Sequence, residues 1–524
     1  MGFEPAELAR DAPSIVLRDG DSDKAAGPWR PLFRHDCSFP SKIFMGVMIN
    51  LIRNPNINSS WLFRADILFD EEMNERSSTS VSLPDETPTL PCFSGFELRR
   101  CMVRKLIPRN TLRDNPMDQS CLIYEQSQAA SEDAHDSDGI ERTLVVYLPH
   151  VSEMEMPFYH PKVQGIAFLH EWTAAEGRGS VSVSYLFFND NDRSVDRLTR
   201  TAFQLLKVLY KHGQGRLAGY QKRVQHDVLI PQARVQNTYA VLKLKYARGL
   251  IDSWAEVTDP DKHIFEDLSI AAFLIELWLD MYGTNPFPGF VDIGCGNGLL
   301  VWILNQEGYR GWGFDARARK SWANYNTVQP CAGSDIPSDS LQQLVLLPPP
   351  VSRARLSELA SDDFSADLIH DGVFPKGTFI ISNHADELTP WTPILAAISE
   401  SPFIMIPCCS HNLTGARYRA PTPKDKTKAE SSYASLVDWV AQIARDCGWE
   451  VEQEILRIPS TRNTALVGRK RLSSEGASSL DIDKIVERYG GTAEYLENVV
   501  KLAKKPRSQG QTQQGTELKA NGSA

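Results

Sequence analysis

Residues 290–298 read Phe-Val-Asp-Ile-Gly-Cys-Gly-Asn-Gly, and a second acid, Asp315, follows inside Gly-Trp-Gly-Phe-Asp. An apolar run ending on an acid, then a glycine turn and a helix-like stretch, describes a nucleotide-type pocket at the tips of two parallel strands. The spacing separates cofactors. The dinucleotide fingerprint is G-x-G-x-x-G, its third glycine set for helix–strand packing. Here Gly298 comes one residue early and Leu299 stands in that place. Asp292, two residues before Gly294, is not a dinucleotide requirement. A carboxylate there suits a cationic ligand, such as the amino and sulfonium groups of S-adenosylmethionine. Gly294, Gly296 and Gly298 let the backbone approach a ligand without a Cβ clash. Asp315 can accept hydrogen bonds from both ribose hydroxyls, the role of an acid at the end of the second strand in doubly wound folds. Asn297 and Asn383 join this candidate cofactor set. The plain alternative is a tight strand–helix turn with no ligand; the second acid, in register about 20 residues on, argues against it.

A second constellation follows an apolar strand at 378–382: Asn383-His384-Ala385-Asp386-Glu387-Leu388-Thr389-Pro390-Trp391. Ligands in open α/β sheets bind beyond the carboxyl ends of strands, and four polar groups at a strand tip are costly to bury without a role. His384 and Asp386, with Glu387 third, are the candidate proton acceptors. A helix cap explains the same residues, since acids favour a helix start and Thr389-Pro390 makes a good N-terminus. Pro407-Cys408-Cys409-Ser410-His411 lies at the next strand tip. Adjacent cysteines do not match C-x₂₋₄-C ligand spacing, so a pocket wall is expected there and no metal. Arg317, Arg319 and Lys320 follow Asp315, either as a solvated helix start or as a phosphate contact. His150, His160 and His170 repeat every ten residues without ligand geometry and read as structural.

These residues need a scaffold of alternating elements. Phe265–Met281 is apolar on most faces and reads as a buried helix. Strand 289–293, helix 299–305 and a strand ending at Asp315 follow. Residues 334–377 read as an insertion or a poorly defined third strand. Strands at 378–382 and 403–407, a helix at 432–447 and a hairpin-like pair at 450–457 and 464–469 complete the pattern. The expected fold class is α/β, a Rossmann-like class I methyltransferase sheet with an N-terminal α+β extension. The expected division is an N-terminal α+β region over 1–190 with disordered loops at 71–91 and 126–141, a basic helical RNA-binding segment over 191–250, a methyltransferase domain over 251–472, and short helices with a disordered tail over 473–524.

The 524 residues suffice for several domains. The net charge of −10 hides an uneven distribution. Between Arg193 and Arg248 lie 12 Lys and Arg against two acids, a local balance of +10, interleaved with Phe203, Tyr210, Tyr220 and Tyr239. That is the electrostatic footprint of phosphate binding, with rings able to stack on bases; a solvated helix face is the alternative. Arg216, Lys222 and Arg223 are the candidate contacts there, beside Arg317 and Lys320. Nine cysteines without regular spacing do not form a disulfide framework. No segment is long and apolar enough to span a membrane, and the acidic N-terminus lacks a secretory h-region, so a cytoplasmic location is expected.

Phe-Val-Asp-Ile-Gly-Cys-Gly-Asn-Gly-Leu-Leu-Val, Gly-Trp-Gly-Phe-Asp-Ala-Arg, Ser-Asn-His-Ala-Asp-Glu-Leu-Thr-Pro-Trp and Ile-Pro-Cys-Cys resemble the eukaryotic tRNA(Ser) uracil-2′-O-methyltransferases. So do Thr-Asp-Pro-Asp-Lys-His-Ile-Phe-Glu-Asp, ahead of the first strand, and Arg-Ile-Pro-Ser-Thr-Arg-Asn near the last. The likeness covers roughly residues 200–470. It implies an S-adenosylmethionine-dependent enzyme acting on the ribose of a uridine at position 44 of serine tRNA. Other expectations are methyl transfer to a protein or small molecule, or a silent RNA-binding protein that keeps the fold.

Overall fold

The computed structural model describes residues 2–9, 12, 28–73, 90–111, 113–126, 139–189, 192, 195–220, 226–329, 338–355, 366–423, 431–472 and 481–503. Most of the expected loops (74–89 and 127–138), Lys222, Arg223 and the tail from 504 lie outside the described residues. The chain forms two compact units, Met1–Arg223 and Val224–Ala524.

The first unit is one antiparallel sheet of eight strands: β1 (Ala6–Glu7), β2 (Arg30–Cys37), β3 (Leu62–Glu72), β4 (Phe96–Pro108), β5 (Met117–Gln126), β6 (Ile140–Pro149), β7 (Gly165–Thr173) and β8 (Arg178–Leu186), ordered β1-β2-β8-β7-β6-β5-β4-β3. Alternate residues serve opposite faces. Cys121, Ile123, Val145 and Phe168 meet the helices α1 (Ser41–Arg53) and α2 (Asp196–Leu217). Leu122, Tyr124, Leu144 and Val146 join Trp29 and Phe93 on the other side. Helix α1 contributes Phe44, Val47, Met48, Leu51 and Ile52, and α2 contributes Leu198, Ala202, Leu206 and Leu209, each set at helical spacing. The buried Arg104 guanidinium donates to Leu51 O (3.2 Å) and Ile52 O (2.6 Å), satisfying carbonyls at the end of α1. The three regularly spaced histidines lie in this unit. His170 packs against Phe39 and Phe44, and burial pushes its imidazole down. His160 bonds Gln119, and burial lowers it to about 4. His150 bonds Ser120.

The basic stretch 191–250, expected to be one segment, falls on two helices in different units. Helix α2 closes the first sheet, while α3 (Gln232–Asp252) packs beside α4 (Pro260–Tyr282) in the second unit. Charge dominates the exposed face of α2 and conceals an apolar stripe as regular as that of α1. Several cations of the stretch are used within the protein. Arg234 pairs with Glu276 and Asp280, and Lys245 pairs with Glu307. Lys243 lies over the Phe265 ring and Arg197 over that of Phe158.

The second unit is built on seven strands: β9 (Phe290–Ile293), β10 (Gly311–Asp315), β11 (Leu341–Gln343), β12 (Phe379–Asn383), β13 (Phe403–Ile406), β14 (Trp449–Ile455) and β15 (Thr464–Arg471), in the order β11-β10-β9-β12-β13-β15-β14. The first five are parallel, and β15 runs antiparallel between β13 and β14. The third strand, undefined in the sequence, is only three residues long. Helix α4 begins at Asp259, whose carboxylate accepts from Asp261 N (3.0 Å), with Pro260 at its first turn, and it stops at Gly283. It covers one face of the sheet with α5 (Leu299–Gln306). The other face is covered by α6 (Thr392–Ile398), α7 (Ser432–Asp446), and residues of α8 (Ile482–Arg488) and α9 (Tyr495–Ala503). Among the described residues no helix is long and apolar enough to cross a membrane.

Candidate active site

The carboxyl ends of β9, β10, β12 and β13 open into a cavity of about 1020 Å³. Asp292 is the third residue of β9 and is almost fully buried (2% exposed), with Oδ1 lacking any hydrogen-bond partner. Burial first, then the charges of Asp267 and Asp315, push its carboxyl well above the usual range. The turn that follows runs through left-handed backbone at Gly294 (φ 74°), Gly296 (φ 53°) and Gly298 (φ 78°). At Gly294 a Cβ would sit 3.1 Å from the Ala385 Cβ, and at Gly298 it would overlap the Leu341 side chain. Gly298 therefore faces the sheet and does not line the cavity. The Asn297 carboxamide oxygen accepts from Leu299 N (2.9 Å), the first residue of α5.

Asp315 ends β10. Its Oδ2 accepts from Gly296 N (3.1 Å) and its Oδ1 from Arg317 N (3.0 Å). These bonds aim the carboxylate across the glycine turn and leave further lone pairs for hydroxyl donors. Arg317 and Arg319 line the cavity, whereas Lys320 does not. Arg216 belongs to the first unit, where its guanidinium lies against Gly46.

At the tip of β12, Asn383, His384, Asp386 and Glu387 all line the cavity. His384 (φ 51°) and Asp386 (φ 43°) occupy left-handed backbone, unusual for non-glycine residues and typical of functional turns. Asp386 accepts from the Cys408 thiol (3.1 Å). Burial, then that hydrogen bond, push the thiol up. Asp386, Cys408 and Cys409 bring ligand-type atoms within 4.8 Å of one another, and His411 is not part of that group.

Sequence reasoning missed two acids. Glu266 and Asp267 lie on α4, are buried, and line the cavity. His384 Nε2 lies 2.9 Å from Glu266 Oε1. Burial and the charge of Glu266 push Asp267 up to about 8. The signal was available: two adjacent acids, Glu266 and Asp267, interrupt the apolar run of a largely buried helix. Tyr495 and Asn498 of α9 also line the cavity, and nothing in their spacing pointed there.

A parallel sheet of this order, with an antiparallel seventh strand and an acid-flanked glycine turn at its first strand tip, defines a class I S-adenosylmethionine-dependent methyltransferase. The residues fit that cofactor. Seven acidic side chains line one cavity, and one of them, Asp292, has an unpartnered buried oxygen, so the site suits a ligand carrying positive charge. A family model described as TRM44-like, N-terminal bet v1-like domain matches residues 7–223, and one described as predicted AdoMet-dependent methyltransferase matches residues 229–331. Curated tRNA (uracil-O(2)-)-methyltransferases are similar over nearly the whole chain. That of Neurospora crassa is 65% identical, covering 96% of this chain and 98% of its own. That of Schizosaccharomyces pombe is 40% identical, covering 91% and 92%. That of Debaryomyces hansenii is 36% identical, covering 93% and 96%. The chain belongs to the tRNA (uracil-O(2)-)-methyltransferase family, and its cofactor is S-adenosylmethionine.

Proposed function

We propose that the chain methylates the ribose 2′-oxygen of a uridine in tRNA, and that the acceptor is position 44 of serine tRNA. The observation that carries the reaction class is the acid-lined cavity at the strand tips, with Asp292 under the glycine turn and Asp315 across it. The names of the relatives supply the tRNA and the uracil nucleotide, and the sequence resemblance supplies serine tRNA and its position. Asp292, with the turn Gly294–Gly298, holds the charged end of the cofactor; Asp315 takes the ribose hydroxyls, and Asn383 closes the opposite side. The bound cofactor supplies an electrophilic methyl group on a sulfonium.

The protein must hold the 2′-hydroxyl in line and draw off its proton, and positioning alone can supply much of the rate. His384, Asp386 and Glu387 are the groups at hand for that proton. Arg317 at the cavity, Lys320 beyond it, and Arg216, Lys222 and Arg223 from the basic stretch contact the phosphate backbone. The protein works in the cytoplasm. The test is ribose-methylation mapping of tRNA from cells lacking the protein, beside transfer of labelled methyl to serine tRNA by the purified chain. Loss of one 2′-O-methyl mark at uridine 44 is expected. Full methylation of that uridine in the deleted cells would overturn the assignment.

A further inference from the structure

We propose that Glu266 is a positioning residue for His384, holding the imidazole so that its Nδ1 accepts the proton of the 2′-hydroxyl. This rests on the methyl-transfer reading above and takes His384 as the base. The two side chains come from elements far apart in sequence, α4 and the tip of β12, and meet inside the cavity. His384 Nε2 and Glu266 Oε1 are 2.9 Å apart, with the carboxylate side chain only 9% exposed and the ring 24% exposed. A carboxylate facing Nε2 fixes the proton there, because the opposite tautomer would set two acceptors against each other. The ring's lone pair then lies on Nδ1, and Nδ1 has no hydrogen-bond partner.

The competing acids are differently placed. Asp386 is exposed and already accepts from the Cys408 thiol. Asp267, beside Glu266, is held protonated near neutral pH by its burial. Nδ1 itself is covered, so the hydroxyl reaches it when tRNA seating shifts the 383–387 turn. That turn holds His384 and Asp386 in left-handed backbone, a conformation from which L residues gain by relaxing. Catalytic hydrogen bonds commonly close only in the substrate complex. In the step, the 2′-oxygen forms a bond to the methyl carbon as the carbon–sulfur bond breaks, its electron pair leaving with sulfur. The hydroxyl proton passes to Nδ1, and Glu266 balances the resulting imidazolium.

The test uses the full chain, serine tRNA and labelled cofactor. His384→Ala is expected to lower kcat at least about 100-fold, within the usual range for a lost general base, and added imidazole restores part of it. Glu266→Gln is expected to lower kcat at least about tenfold at saturating cofactor, with tRNA KM held within about threefold. Nitrogen-15 NMR of histidine-labelled protein reads the tautomer without any turnover: the wild type shows His384 protonated on Nε2, and Glu266→Gln loses that preference. If Glu266→Gln does not fold, Glu266→Asp keeps the charge and is expected to retain the Nε2–H signature. His384→Ala turning over within threefold of wild type, or a wild-type ring protonated on Nδ1, overturns the proposal. A wild-type protein that transfers no methyl to any tRNA overturns the underlying reading instead.

Discussion

Replacing Asp267 by asparagine removes a proton from the cofactor-binding equilibrium. The Asp267 carboxyl is pushed up to about 8 by burial and by Glu266, so near pH 7 it holds its proton in the ligand-free protein. A cation within about 4–6 Å lowers an acid by roughly 1–3 units. With a fall of roughly 2 units, binding near pH 7 expels on the order of 0.8 proton from this group. The sign follows from the direction of the shift. An acid that binds its proton more tightly without ligand than with it releases that proton on binding, so affinity rises with pH up to about 8 and then levels. Between about pH 6 and pH 8.5 the wild-type Kd tightens on the order of 40-fold through this group alone. Titration calorimetry in buffers of different ionisation enthalpy counts the released protons. Asp267→Asn is expected to release nearly one fewer and to lose most of the pH dependence, Asp292 contributing what remains. S-adenosylhomocysteine, which lacks the sulfonium charge, is expected to release fewer protons than the methyl donor. Equal proton release by wild type and Asp267→Asn would show that this carboxyl does not lose its proton on cofactor binding.

Other perturbations separate the remaining roles. Asp315→Ala is expected to weaken cofactor binding about tenfold or more, by removing a carboxylate that braces the glycine turn as well as a ribose acceptor; equilibrium dialysis measures it. Asp386→Ala removes the acceptor of the Cys408 thiol from the turn that carries His384 and is expected to slow single turnover with cofactor affinity unchanged; normal turnover would remove Asp386 from any part in the reaction. Gly298→Ala places a Cβ at φ 78° against Leu341 and is expected to cost about 1–3 kcal/mol, read as a lower Tm for the transition that cofactor binding raises. Neutralising Lys222 and Arg223 is expected to weaken tRNA binding and flatten its salt dependence, the slope falling by about 0.7–0.9 for each phosphate that is no longer neutralised. An unchanged slope in filter binding would place that part of the basic stretch away from RNA.

The catalytic sheet was legible because its physics is local. Apolar strands ending on acids, glycines at left-handed positions and a Pro-capped buried helix all leave marks within a few residues of one another. Asp292, Asp315 and the 383–387 turn could therefore be placed at strand tips from the chain alone. The pairing of Glu266 with His384 spans 118 residues, and no spacing rule reaches that far. Leu341–Gln343 was missed because three residues carry no periodicity. The basic stretch read as one segment because its charge pattern was conspicuous and the apolar stripe of α2 was not, whereas its residues fall on helices of two units. The N-terminal region read only as α+β, because the assembly of its strands into one eight-stranded antiparallel sheet depends on pairings that a single sequence does not display.

Tyr495 donates to Leu346 O (3.1 Å) and Asn498 to Thr414 O (3.2 Å), tying α9 over segments made much earlier in the chain. A ribosome delivers that helix after all seven strands. During synthesis the sheet can pair and pack while one wall of its ligand chamber is still missing. The donor molecule can then stabilise the nascent protein only once that last wall has emerged. Starvation for the cofactor should consequently spare early assembly of the sheet and show itself afterwards, as finished chains that are more easily cut by proteases.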